Sequence, residues 1–182
     1  MQPDLSVIIP THDSERLLVH TLVALVPGAT AGIVREVIVA DGGSRDETEQ
    51  VADIAGCVFL SSGQSLGARL KGAAERARGD WLMFLAAGAV PGPTWIEDTA
   101  AFAQGRGQAA RFSAQPAGLA DWVRRLFAAP PDREQGLVIR KTLYAALGGH
   151  RADAADPERN LLRRIGRSRL TVLRTTVTRS DI

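Results

Sequence analysis

Two hydrophobic periods alternate along the first hundred residues. Leu5-Ser-Val-Ile-Ile-Pro10 is a short apolar, β-branched run closed by a proline, which predicts a buried strand. Asp13 or Ser14 then stands where a helix cap belongs, and Leu17, Leu18, Thr21, Leu22 and Leu25 fall on one helical stripe. Residues 28–32 are bounded by glycines and predict a loop. Val37-Ile-Val-Ala40 predicts a second strand, ending in Asp41-Gly42-Gly43. Ser44 and Glu47 have capping-box spacing, so a helix is expected from there with Val51, Ile54 and Ala55 facing inward. Val58-Phe-Leu60 predicts a third strand and residues 66–77 a helix stopped by Gly79. Trp81-Leu-Met-Phe-Leu85 is continuously apolar, as a strand covered on both faces should be. Residues 94–104 read as another helix.

The second half is less regular. Strands are expected over residues 110–114, 136–139 and 170–173, and helices over 119–128, 142–147 and 157–165, the last with Pro157 in its first turn. Pro130-Pro131-Asp132 predicts a turn. The alternation as a whole predicts an α/β fold, a Rossmann-like, mostly parallel sheet with helices on both faces. With 182 residues and no evident linker, the chain reads as one domain, with a first half over 1–110 and a second over 111–182.

Charge divides these halves. Residues 1–110 carry 8 basic and 13 acidic side chains, and residues 111–182 carry 14 and 7, so a net charge of +2 hides a basic second half. Lys71 and Lys141 are the only lysines, so the excess is arginine. A phosphate, a lipid head group or a nucleic acid suits such a surface, and so does plain solvation. Aromatic content of 5% and the lack of a recognised motif argue against nucleic acid. Leu161-Leu-Arg-Arg-Ile165, followed by Arg167 and Arg169, is a basic amphipathic stretch. It suits contact with anionic lipid or a lipid-phosphate acceptor, although a core helix with a charged outer face is the plainer reading. The longest apolar run is about ten residues, too short to cross a bilayer, and the N-terminus lacks signal-peptide zones, so a cytoplasmic location, at most peripheral to the membrane, is expected. Cys57 is alone, and His20 and His150 show no metal-ligand spacing.

Ligands of open α/β sheets bind beyond the carboxyl ends of the strands. Thr11-His12-Asp13 and Asp41-Gly42-Gly43-Ser44 are the polar strand ends here. Asp41 can accept from a base or ribose, the glycines permit close backbone approach, and a helix start at Ser44 offers amides to an anion. Alone, Asp-Gly-Gly-Ser is equally a capped turn. The combination is more specific. Leu5–Glu15, Glu36–Asp46, Leu66-Gly-Ala-Arg-Leu-Lys-Gly72 and Ala77–Leu85 occur in order, followed by Gln135–Lys141, Leu147-Gly-Gly149 and Asn160–Arg167. In that order and spacing they resemble family 2 glycosyltransferases, the inverting enzymes of GT-A fold, in a short bacterial form without membrane helices.

The resemblance implies a nucleotide-sugar donor, UDP- or GDP-linked, and an acceptor it does not identify. It implies that Pro10, Thr11, His12, Asp13 and Glu15 hold the nucleoside together with Asp41, Gly42, Gly43 and Ser44, with Asp41 on the base. His12 stands where the family more often has Asn. Gly67 and Arg69 are implied to lie beside the nucleotide, where Arg69 can pair with phosphate. The family's Asp-x-Asp, which carries Mg2+ or Mn2+ on the diphosphate, falls on Ala86 and Gly88, which have no oxygen side chain. No metal ligand is therefore assigned. Glu97 or Asp98 folding back as a substitute stays open. The general base is implied just before the late helix, at Asp156 or Glu158 with Asp153 close by, and an N-cap role fits Asp156 equally. Two functions follow: a glycosyltransferase working without the usual metal site, or a catalytically inactive relative that binds a nucleotide or a protein partner. A sugar nucleotidylyltransferase would carry a Gly-rich, Arg-containing loop after its first strand, unlike Pro10-Thr-His-Asp13.

Overall fold

The computed structural model describes residues 3–114 and 136–180. Four short strands come first: β1 (Leu5–Thr11), β2 (Val34–Asp41), β3 (Val58–Ser61) and β4 (Trp81–Phe84). Between them run α1 (Glu15–Thr30), α2 (Thr48–Ile54) and α3 (Leu66–Arg76). These crossovers let all four strands run parallel, side by side as β3-β2-β1-β4. Their carboxyl ends therefore share one edge, and Thr11, Asp41 and Ser61 are register neighbours across it.

The chain continues through β5 (Ala89–Pro91), α4 (Trp95–Gln104), β6 (Ala109–Ala114), β7 (Leu137–Arg140), α5 (Lys141–Ala146), α6 (Pro157–Ile165), a 3-10 turn (Arg167–Arg169) and β8 (Leu170–Arg179). Among the described residues one sheet of eight strands results, ordered β3-β2-β1-β4-β7-β6-β8-β5. β7 is antiparallel to β4 and β6, β5 is antiparallel to β8, and β6 and β8 are parallel. The sheet is thus mixed, with its uninterrupted parallel block in the first half of the chain. The division at residue 110 falls inside β6.

Alternation along the strands feeds two cores. Val7, Ile9, Val39, Met83 and Leu85 meet α1, α2 and α4 through Leu18, Leu25, Ala52 and Trp95. Ile8, Ile38, Leu82 and Phe84 meet α3, α5 and α6 through Leu70, Ala73, Tyr144, Leu161 and Ile165. Burial of Leu161 and Ile165 makes α6 a core helix with a charged outer face.

Several expected boundaries move. α1 runs past the glycine expected to begin a loop. Gly28 is needed there because a Cβ would sit 2.3 Å from the Trp95 ring. α2 starts at Thr48, not Ser44, and Thr48 and Ala52 are its buried residues while Ile54 is 80% exposed. β5 has no counterpart in the expected elements, and β8 extends to Arg179, well beyond residue 173. The expected helix over 119–128 and the turn at Pro130-Pro131-Asp132 lie outside the described residues. No helix among the described residues is long and apolar enough to cross a membrane.

Candidate functional site

Asp41 closes β2 and is 1% exposed. Its Oδ1 accepts from the hydroxyls of Thr11 (2.9 Å) and Ser44 (2.5 Å). Its Oδ2 accepts from the amides of Gly43 (2.8 Å) and Ser44 (2.9 Å) and from the Ser61 hydroxyl (2.9 Å). Five donors from three strand ends thus converge on one carboxylate and fill its acceptor positions. Burial alone would raise its pKa, but the bonds from Ser44, Gly43 and Ser61 outweigh burial and hold it well below the usual carboxylate range.

The loops after β1 and β2 are laced together by the same logic. The Arg45 amide donates to Asp13 (2.7 Å), the Glu15 amide to Asp46 (3.0 Å) and the Glu47 amide to Glu15 (3.1 Å). The Ser14 amide donates to the Thr48 hydroxyl (3.0 Å), and the Asp13 amide to Ser44 Oγ (2.9 Å). Asp13 takes the left-handed φ of 46° that this path needs. Ser44 is therefore engaged between loops rather than capping a helix. The amides of Gly43, Ser44, Arg45, Glu47 and Thr48 all donate to carboxylates of this chain, so a helix start at Ser44 offering them to an anion is not what forms. His12 projects beside this network with its ring largely exposed.

Arg69 enters from α3. Its Nη1 donates to the carbonyls of Thr11 (3.1 Å) and Ala40 (2.7 Å), and its Nε is buried with no hydrogen-bond partner. Burial lowers its pKa and the Asp41 charge opposes that. The guanidinium packs under Gly42, where a Cβ would stand 3.0 Å from Nη1. The Asp41 charge thus acts on the Arg69 guanidinium without a direct ion pair, beside the carboxyl ends of β1 and β2.

Gly67 brings the second half to this edge. A Cβ there would stand 2.1 Å from the Arg151 carbonyl oxygen, and Ser65 donates to the Ala152 carbonyl (2.8 Å). The segment after Gly148-Gly149 is consequently seated on the start of α3. Arg164 anchors the same segment by donating to the carbonyls of Leu147 and Gly149. Asp153 pairs with Arg151 (3.1 Å). Asp156 caps α6, accepting from the Arg159 amide (3.0 Å), and Glu158 lies in the first turn.

His150 follows the two glycines and is 1% exposed. Its amide donates to Tyr144 Oη (3.0 Å), and the same hydroxyl hydrogen-bonds Nδ1 (2.9 Å), while Nε2 is buried without a hydrogen-bond partner. The ring stands edge-on to Phe84, with centroids 4.7 Å apart. Burial, aided by the Arg164 charge, lowers its pKa to about 4. The unfolded chain then binds the proton more tightly than the native one. This contribution is full above about pH 6.5 and is lost as pH falls towards 4, by roughly 3 kcal/mol. Urea unfolding of the parent and of His150→Phe between pH 7.5 and 4 should show this slope only in the parent; equal slopes would refute the buried neutral imidazole.

Ala86 to Gly88, where the resemblance implies a metal pair, is packed against α1. The Gly88 amide donates to the Leu17 carbonyl (3.0 Å) and to Thr21 Oγ1 (2.9 Å), and its carbonyl accepts from Ser180 (2.9 Å). The Ala86 carbonyl accepts from Ala89 (3.0 Å). Asp98 does not fold back to this loop, because its carboxylate accepts from the Thr175 amide (2.8 Å). The loop has no side-chain oxygen and its carbonyls at 86 and 88 are engaged, so these residues do not fit a hard divalent cation.

The expected nucleoside residues thus come together, with two halves of the chain on one edge. Asp46, Thr48, Ser61 and Ser65 complete the arrangement and were not singled out from sequence. Asp46 and Thr48 did carry a signal, as an Asp-x-Thr spacing ahead of a helix. Tyr144 carried none, since its partner is made by the turn at Gly148-Gly149.

The sequence model of glycosyl transferase family 2 matches residues 6–156. Comparison with curated proteins gives no match. Among solved structures, glucosyl-3-phosphoglycerate synthase from Mycobacterium tuberculosis, in complex with Mn2+, UDP and glucosyl-3-phosphoglycerate, is similar with a TM-score of 0.76 at 19% identity, over 99% of this chain and 73% of that one. A mannosyltransferase from Pyrobaculum calidifontis, in complex with GDP-Man and Mn2+, gives 0.75 at 18% identity over 96% of this chain and 55% of that one. Those likenesses speak for the fold, and the family match covers most of the chain. This chain belongs to glycosyl transferase family 2 and has the GT-A fold.

Proposed function

We propose that this chain transfers a sugar, with inversion, from a UDP- or GDP-linked donor to an acceptor hydroxyl, without a metal held by the usual carboxylate pair. The observation that carries this reading is the cradle at the ends of β1, β2 and β3, built on Asp41 and underlain by Arg69. The donors named for the structural neighbours, UDP-glucose and GDP-mannose, support the choice of donor class. In this reading Thr11, His12, Asp13, Glu15 and Gly42 to Ser44 shape the nucleoside seat beside Pro10, and Ala86 and Gly88 flank the diphosphate. Arg69 supplies positive charge from beneath, since its Nη1 already holds two carbonyls. Asp156 or Glu158 takes the proton from the acceptor hydroxyl as the new bond to the anomeric carbon forms and the bond to the diphosphate breaks. The alanines at 86 and 87 favour a second reading, a relative that binds the nucleotide and does not transfer.

Calorimetric titration with UDP, GDP, UDP-glucose and GDP-mannose, in Mn2+ and in EDTA, tests both. Binding of equal strength in the two buffers is expected. Binding tenfold tighter in Mn2+ would overturn the metal-free site, and no binding in either buffer would overturn the donor reading. Binding without donor turnover across an acceptor panel would favour the second reading.

A further inference from the structure

We propose that the surface formed by α6, the following 3-10 turn and the first half of β8 docks on an anionic lipid bilayer. Residues 159–179 contain seven arginines and no carboxylate, and the acids of α6, Asp156 and Glu158, stand at its N-terminal end, away from the turn and β8. Arg159 and Arg163 lie one turn apart on the exposed side of α6, opposite the buried Leu161 and Ile165. Arg167 and Arg169 are exposed in the turn. On β8, Leu173 and Thr175 point inward while Val172 and Arg174 point out. Leu173 belongs to the core of α1, α2 and α4, and Leu170 packs on the core of α3, α5 and α6. Alternation therefore places Val172 and Arg174 on the same side of the sheet as α6. β5 pairs with Val177 to Arg179, and Gly92 and Asp98 bond the backbone of Thr176 and Thr175, so the outer edge of β8 is without a paired strand only over Leu170 to Arg174 among the described residues.

Charge complementarity names the occupant. No carboxylate among the described residues pairs with the guanidinium of Arg163, Arg167, Arg169 or Arg174. Helix α3, the neighbour of α6, adds exposed Lys71 and Arg76 against one exposed carboxylate, Glu75. Guanidinium groups recognise phosphate bidentately. Val172, 51% exposed among these arginines, is an apolar tip that the head-group layer accepts and a polyanion does not need. Residues 159–179 hold no aromatic side chain on which a base would stack, which sets a bilayer ahead of a nucleic acid. The buried face of α6 takes no part; the helix rests on the bilayer through its arginines.

Co-sedimentation of the full chain with vesicles of phosphatidylcholine, with and without phosphatidylglycerol, tests this independently of any donor chemistry. Binding is expected only to the anionic vesicles and is lost near 1 M salt, where the Debye length is about 3 Å. Each arginine near an anionic surface is worth roughly fivefold in partitioning. R163E/R167E/R174E should therefore weaken binding at least a hundredfold, and R163Q/R167Q/R174Q should weaken it with the fold intact by circular dichroism. V172S should weaken it several-fold at constant salt. No binding to anionic vesicles at low salt, binding indifferent to the triple variants, or tighter binding to RNA or duplex DNA than to vesicles at the same salt would each overturn the proposal.

Discussion

Replacing Asp41 with alanine is expected to cost roughly 3–4 kcal/mol of folding stability and to abolish nucleotide binding. The carboxylate accepts five hydrogen bonds in a site that is 1% exposed. Its removal takes the acceptor from the buried Thr11 hydroxyl, at about 1–3 kcal/mol, and from two amides and two hydroxyls that are only part-buried and lose less because water can replace it. Asp41→Asn should be milder, at roughly 2 kcal/mol. One orientation of the amide keeps its oxygen towards Gly43 and Ser44 and lets the hydroxyls of Thr11 and Ser44 turn to accept from its nitrogen. Denaturant unfolding of the parent, D41N and D41A should give that order. An unchanged midpoint with lost nucleotide binding would mean that Asp41 serves a ligand and not the loops.

The same carboxylate predicts a second acid limb. Its native pKa is depressed, so its contribution is present above the ordinary carboxylate value near 3.8 and is lost as pH falls below it. That window lies under the one set by His150. The parent should therefore lose stability in two stages, with D41A shrinking only the lower one, which the depressed carboxylates of Glu36 and Asp46 also feed.

These two groups also mark what the sequence carries and what it withholds. β1, β2 and β4 are legible because parallel strands buried on both faces must be continuously apolar. Strand β5, at three residues, is too short to carry a period, and the thread of threonines in β8 conceals a strand whose partners β6 and β5 come from elsewhere in the chain. The capping box at Ser44 is a local pattern overridden by a tertiary one, since Asp41 and Asp13 compete for the same hydroxyl and amides. The candidate site shows the same division. Order and spacing identify its residues through a family pattern. That Asp41 is saturated by donors from positions 11, 43, 44 and 61 emerges only when three strands lie side by side. Likewise, nothing local to His150 foretells a buried neutral ring, because Tyr144 and Arg164 reach it through the turn at Gly148-Gly149.

Restoring the acidic pair by replacing both Ala86 and Gly88 with aspartate is expected to destabilise the protein by roughly 3–5 kcal/mol and to create no Mn2+ site. The position of the second acid is not an empty slot awaiting a carboxylate. Gly88 has φ of 87°, its amide is bound to Leu17 and Thr21, and its carbonyl is bound to Ser180. A Cβ would stand 2.8 Å from Leu17 Cδ2. Leucine can yield at its tip, but the left-handed backbone strains any side chain, and a carboxylate set against Leu17 loses water without gaining a partner. Position 86 is half-buried and unstrained, so Ala86→Asp alone should cost under about 1 kcal/mol. Denaturant unfolding together with Mn2+ titration by electron paramagnetic resonance separates these effects. A double variant as stable as the parent and binding one Mn2+ would show that the metal loop was lost by two side chains alone. Failure of the double variant beside tolerance of A86D would show that the backbone at Gly88, held by Leu17 and Thr21 of α1 and by Ser180, and not the missing side chains alone, bars a carboxylate from this loop.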